Sequence, residues 1–232
     1  LEMLINPKKA ERHPWEMFFV GAFYASLALL LVTWIFSNDS VLSRRSGILV
    51  VLFMVMLTSP FIYYTLKLEE RRVLPNKNTW TLIKEHRKAI YAFLWLFTGF
   101  VIALSFWYLI LPTTEAFSAQ IETYCLINRP TAFTECAQQY GVNQGPTPTG
   151  FLSSKERLFL IFTNNVYVLI FTLIFSLIFG AGVIFILAWN ASVIAAAIGI
   201  FSNSSLAALP MGVLRFFIHG IPEIASYFIV AL

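Results

Sequence analysis

Charge is what this sequence has least of. Asp, Glu, Lys and Arg make up 12% of its 232 residues, about half the share found in an ordinary soluble domain. With 58% hydrophobic residues, a water-soluble globule of this length has too little polar surface to cover itself. Intrinsic disorder needs few apolar residues and much net charge, so it is excluded as well. Catalytic signatures are also missing: there is no HExxH, no GxSxG, no paired acids within the apolar runs and no CxxC. No cofactor motif is present, and none is expected to bind. The net charge of +4 is scattered over short links rather than gathered on one face, which speaks against nucleic acid as a partner. No secretory signal is apparent, because residues 1–16 are polar and no small-residue cleavage site follows the first apolar run. The first residue is Leu rather than Met, and the last, Leu232, falls inside an apolar run. The true N-terminus is therefore expected to lie upstream of Leu1.

Long apolar runs are what the chain has in abundance. Met17–Phe36 is 20 residues without a charge, enough to cross about 30 Å of hydrocarbon. Ile48–Leu66 and Ala89–Leu111 are two more such runs. A polar stretch from Pro112 to Arg157 follows, and then Leu158–Phe201 runs for 44 residues with no charge at all. As one helix it would be about 66 Å long, twice a bilayer. It must fold back, and Gly180-Ala181-Gly182 is the natural place, since glycine accepts turn geometry without steric cost. The spans are then 17–36, 48–66, 89–111, 158–179, 183–201 and 209–232. The expected fold is an all-α polytopic membrane bundle of about six transmembrane helices, forming a single membrane domain over 1–232, with an outer loop at 112–157.

Orientation follows from the cations. The segment before the first span and the link between the second and third carry ten Lys and Arg: Lys8, Lys9, Arg12, Lys67, Arg71, Arg72, Lys77, Lys84, Arg87 and Lys88. The opposite side carries five: Arg44, Arg45, Arg129, Lys155 and Arg157. The richer side should be cytoplasmic, placing the N-terminus inside a cell membrane and 112–157 outside. Cys125 and Cys136 then fall in the oxidising compartment. With ten residues between them, a disulfide would contribute roughly 3 kcal/mol in chain-entropy terms. Asn38-Asp39-Ser40 and Asn203-Ser204-Ser205 are glycosylation sequons on that same side.

Polar and ionisable groups inside a span need a partner or a purpose. The last three spans hold them: Asn164 and Asn165, Asn190, and then Arg215, His219 and Glu223. Arg215, His219 and Glu223 are four residues apart and share one helix face. Pro222 should kink that helix and free the Ile218 carbonyl. Three readings of this intramembrane polar cluster compete. It is a hydrogen-bonded network pinning the last three spans together, a metal or proton site, or a hydrolytic site. For a metal, His219 and Glu223 are the candidate ligands, but zinc wants three or four. For hydrolysis, Glu223 would activate water with His219, yet no catalytic residue is assigned. Span 183–201 is also rich in Ala and Gly, which suits close internal packing or a homo-oligomer face.

The stretch 151–232 includes FTNNVYVLIFTLIFSLIFGAGVIFILAWNASVIAAAIG and then HGIPEIASYFI. Its Asn-Asn pair, Gly-rich turn, Trp-Asn step and His-Gly-x-x-Glu core resemble the SpoIIM (stage II sporulation protein M) family. PWEMFFVGAFYASLALLL and YYTLKLEE are similar to its archaeal branch in particular, so the resemblance covers nearly the whole chain. It implies a multi-pass membrane protein. It also implies a role like that of bacterial members, which resemble anchors assembling a cell-wall hydrolase complex. The expected function is thus a non-enzymatic scaffold or assembly subunit. Its partners would be membrane lipid and other membrane or peripheral proteins. A small transporter or proton/metal-handling protein is the alternative, and an intramembrane hydrolase the third reading.

Overall fold

A computed structural model describes residues 10, 12–36, 39, 42–70, 79–129, 132–142, 159, 162, 166, 170, 183–202 and 205–216. Every regular element among them is helical. The main helices are α1 (Glu16–Phe36), α2 (Ser46–Glu70), α3 (Thr79–Ile110), α4 (Ser118–Asn128), α5 (Phe133–Gln139), α6 (Val183–Phe201) and α7 (Leu206–Phe216). Short 3-10 turns at Ser43–Arg45 and Glu115–Phe117 lead into α2 and α4.

Four helices are long and apolar enough to cross a membrane: Glu16–Phe36, Ser46–Thr65, Arg87–Ile110 and Ile184–Phe201. α6 covers the expected span 183–201 residue for residue. The apolar run 89–111 is the later part of α3, which starts ten residues before it at Thr79. The stretch expected as a span at 158–179 is described only at Phe159, Phe162, Val166 and Ile170, which are helical and exposed. The Gly180–Gly182 turn and residues 217–232 lie outside the described residues.

Hydroxyl side chains within the long helices turn back on their own backbone. Thr58 donates to the Met54 carbonyl at 2.7 Å, Thr65 to Phe61 at 2.8 Å, and Ser105 to Val101 at 2.7 Å. Each is satisfied within its own helix. Pro60 sits inside α2. It has no N–H to give the Met56 carbonyl, and the helix continues past it.

The most extensive contact joins α1 to α3, and two glycines permit it. A Cβ on Gly21 would run into the Leu96 carbonyl oxygen and lie 3.1 Å from its carbon. A Cβ on Gly99 would strike the Phe18 carbonyl oxygen and lie 2.8 Å from the Ala22 nitrogen. The two backbones therefore meet at a reciprocal glycine crossing. Trp107 ties the same pair by donating Nε1–H to Ser26 Oγ at 2.9 Å.

α6 is the central helix. It packs on α2, α3 and α4, and 67% of its apolar window is buried against 39% for α1. Its small residues face inward: Ala188, Ala191, Ala195 and Ala196 are fully buried, so this face packs internally. Gly199 lies flat against the Tyr108 ring.

The expected outer loop is not a bare loop in its described part. Glu115–Phe117, α4 and α5 form a helical lid joined by a Cys125–Cys136 disulfide with a Cα–Cα distance of 5.8 Å. Both cysteines are buried, with Phe117, Ile121, Phe133 and Ala137 in the same core. Thr114 Oγ1 donates to the Tyr140 carbonyl at 2.7 Å and closes the lid at its base. Next to Tyr140, Gly141 takes φ +82°, a left-handed conformation that glycine adopts freely.

Candidate functional site

Of the expected intramembrane cluster, Asn164, Asn165, His219 and Glu223 lie outside the described residues. Asn190 and Arg215 are described. Asn190 is half-buried, and its Nδ2 donates to the Ile186 carbonyl of its own helix at 2.9 Å. That bond leaves its Oδ1 and its second N–H able to meet another element. Arg215 is exposed near the end of α7, with its guanidinium 4.7 Å from the centroid of the Phe201 ring. This cation–π contact sets Arg215 beside the end of α6, close to Tyr124 of the lid.

The structure assembles a different polar centre two residues from Asn190. Gln120, from the first turn of α4, is 1% exposed. Its Nε2 donates to the Gly47 carbonyl at 2.9 Å and to Ser192 Oγ at 3.1 Å. Ser192 in turn donates to the Trp189 carbonyl at 2.7 Å. One side chain of the lid thus clamps the start of α2 to the middle of α6. Gly47 is needed here because a Cβ would collide with Gln120 Oε1 and come within 3.3 Å of the Ala116 oxygen and the Ala119 nitrogen. Gln120 Oε1 is buried and accepts no hydrogen bond from the protein. Sequence reasoning missed Gln120 because it stands in a segment read as a polar loop. The available signal was local: Ile121 and Cys125 follow at helical spacing and mark a buried face beside it.

Around this clamp the lid is polar and ionisable. Burial pushes the Glu122 carboxyl above the ordinary carboxylate range, with Arg45 acting in the opposite sense. Burial and Tyr140 push the Tyr124 phenol up, while Arg129 and Arg215 pull it back. Ser46 Oγ donates to the carbonyls of Ser43 at 2.7 Å and Glu115 at 2.9 Å. Beside Ser46 a half-open cleft of about 200 Å³ is lined by Thr33, Phe36, Ser43, Pro112 and Glu115, among others. Among the described residues no three His, Cys, Asp or Glu side chains converge as a metal site would require.

What these residues define is an all-helical bundle with four helices fit to cross a membrane, capped at one end by a disulfide-linked helical lid. No protein-family model matches the chain, and neither does any curated protein or solved structure.

Proposed function

We propose that this chain is an integral membrane protein of SpoIIM-like type, acting as a non-enzymatic scaffold or assembly subunit. In this reading it spans the membrane six times with its N-terminal segment in the cytoplasm. Support for membrane insertion comes from what the helices leave outside. Trp15, Phe19, Phe23, Leu30 and Trp34 are all exposed and follow one face of α1. In water such a stripe would be a liability. In a bilayer it is a lipid face, and the two tryptophans, nineteen residues apart, stand about 28 Å apart along the axis. That is the separation of the two interfacial aromatic belts.

The observation that carries the scaffold reading is that Gln120, Ser192 and Asn190 each donate a hydrogen bond within the protein. The acceptors are on Gly47, Ser192, Trp189 and Ile186. Such a centre holds helices together and leaves little for a substrate. His219 and Glu223 are proposed to join Asn190, with Asn164 or Asn165, in a similar structural network.

Reconstitution tests this. A scaffold should give proteoliposomes no proton or divalent-metal flux above empty vesicles, and Glu223→Gln should keep wild-type thermal stability while Glu223→Leu loses it. Protein-dependent flux abolished by Glu223→Gln at unchanged stability would refute the scaffold in favour of transport. For topology, Gln139→Cys and Arg87→Cys should label with an impermeant maleimide from opposite sides of sealed vesicles. Labelling from one side contradicts the spanning reading.

A further inference from the structure

The end of the bundle away from the lid carries cations whose alignment follows from the packing. α1 and α3 run in the same direction, registered where Gly21 meets Leu96. Arg12 stands four residues before α1 begins at Glu16, and Arg87 nine residues before Leu96, so both lie at this end of the bundle. α2 runs the opposite way and meets α3 where Phe61 packs edge-on against Phe93, ring centroids 6.3 Å apart. Lys67 lies six residues beyond Phe61, and Arg87 six residues before Phe93, which brings Lys67 to the level of Arg87. Lys88 adjoins Arg87. All four side chains are exposed.

A ring of aromatic side chains sits next to these cations toward the middle of the bundle. Trp15, Tyr63, Tyr64 and Tyr91 are each about half-exposed, and Lys67 Nζ stands 5.6 Å from the Tyr63 ring centroid. Glu16, half-buried, is the acid at this level among the side chains described.

We propose that Arg12, Lys67, Arg87 and Lys88 form a basic collar that binds the headgroups of anionic phospholipids. The proposal rests on the membrane reading above and names the lipid class that the inner rim selects. Two features select a lipid over a soluble anion. Tyr and Trp rings hold the depth of the headgroup boundary, which puts the cations at the level of the phosphates. Beneath the cations the protein surface is apolar, with Phe19 and Phe23 exposed on α1, so one ligand must satisfy charge above and hydrocarbon below. Lys and Arg reach outward from such a boundary on their methylene stems.

Quenching of tryptophan emission by brominated lipids tests the proposal on the full chain reconstituted in bilayers. Brominated phosphatidylglycerol should compete for the protein surface about fivefold better than brominated phosphatidylcholine, the factor expected from one Lys or Arg near an anionic surface. Raising the salt should shrink the preference toward unity. Replacing all four collar residues by Gln should abolish it, whereas Arg45→Gln/Arg129→Gln at the lid end should leave it intact. Equal quenching by the two lipids in the wild type, or a preference that survives the fourfold substitution in folded protein, overturns the collar alone. Quenching by neither lipid overturns the membrane reading, and the collar with it.

Discussion

The glycine crossing between α1 and α3 gives a prediction whose sign is not intuitive. Gly21→Ala puts a methyl group against the Leu96 carbonyl, and Gly99→Ala puts one against Phe18 and Ala22. The obstacle in each case is backbone, which no rotamer change moves, so the helices must separate. Overpacking of this kind costs about 3 kcal/mol at the upper end. Alanine offsets about 1 kcal/mol of that through its better helix propensity. Each single variant should therefore lose about 2 kcal/mol. Separation caused by one methyl makes room for the other, so the double variant is hit by the steric cost once and gains the propensity term twice. It should lose about 1 kcal/mol and be no less stable than either single variant, a coupling well above the scatter of independent sites. Equilibrium unfolding in detergent, followed by circular dichroism for wild type, both singles and the double, measures all four corners. Losses that simply add, near 4 kcal/mol in the double by the same estimates, would refute a shared crossing. Single variants within about 0.5 kcal/mol of wild type would refute the close approach itself.

Three further outcomes are expected. Gln120→Leu strands the Gly47 carbonyl in a buried position and removes the donor to Ser192 Oγ, so it should lower unfolding stability by about 2 kcal/mol; an unchanged midpoint would show the clamp to be idle. The Cys125–Cys136 disulfide is buried, so intact mass after a dithiol reductant and alkylation should show two modified thiols only when the protein is first unfolded, and rapid modification of the native protein contradicts the packing of the lid. Burial raises the Glu122 carboxyl, so the native state binds that proton more tightly than the unfolded chain, and this contribution to stability is present below the ordinary carboxylate pKa and lost as pH rises through the raised value. Glu122→Gln should thus flatten the decline of stability in that window, as read from unfolding midpoints across a pH series; a variant that keeps the wild-type slope rejects the assignment.

The polar lid shows where reading along the chain stops working. Pro112 to Arg157 is polar enough to stand in water, and its two cysteines are spaced to pair, as they do. The local pattern of Ile121 and Cys125 marks a buried face beside Gln120, but it does not say which residues Gln120 meets in the bundle. Its partners stand 73 and 72 residues away in sequence, and which polar groups meet depends on how helices dock. Asn190 illustrates the converse. A polar residue in an apolar helix announces a need for a partner, and its Nδ2 finds one four residues back in its own helix. The Asn190 tie to His219 and Glu223 therefore stands as a proposal, argued from the depth of their apolar runs.

What the sequence by itself determined is the set of apolar runs, the helical class and the candidate cysteine pair. Those are local properties: an uncharged run of membrane length satisfies its own backbone only as a helix. The tertiary structure decided that α6 is central, that Gly21 and Gly99 each meet the backbone of the other's helix, and that Gln120 plugs the gap between α2 and α6. The reason lies in the solvent. In water, an amphipathic stripe marks the buried face of a helix. Here the exposed face of α1, with Phe19, Phe23 and Leu30, is as apolar as its buried face, with Ala25, Leu29 and Val32. Hydrophobic periodicity therefore cannot tell lipid from protein interior, and only side-chain size and the docking of neighbouring helices can.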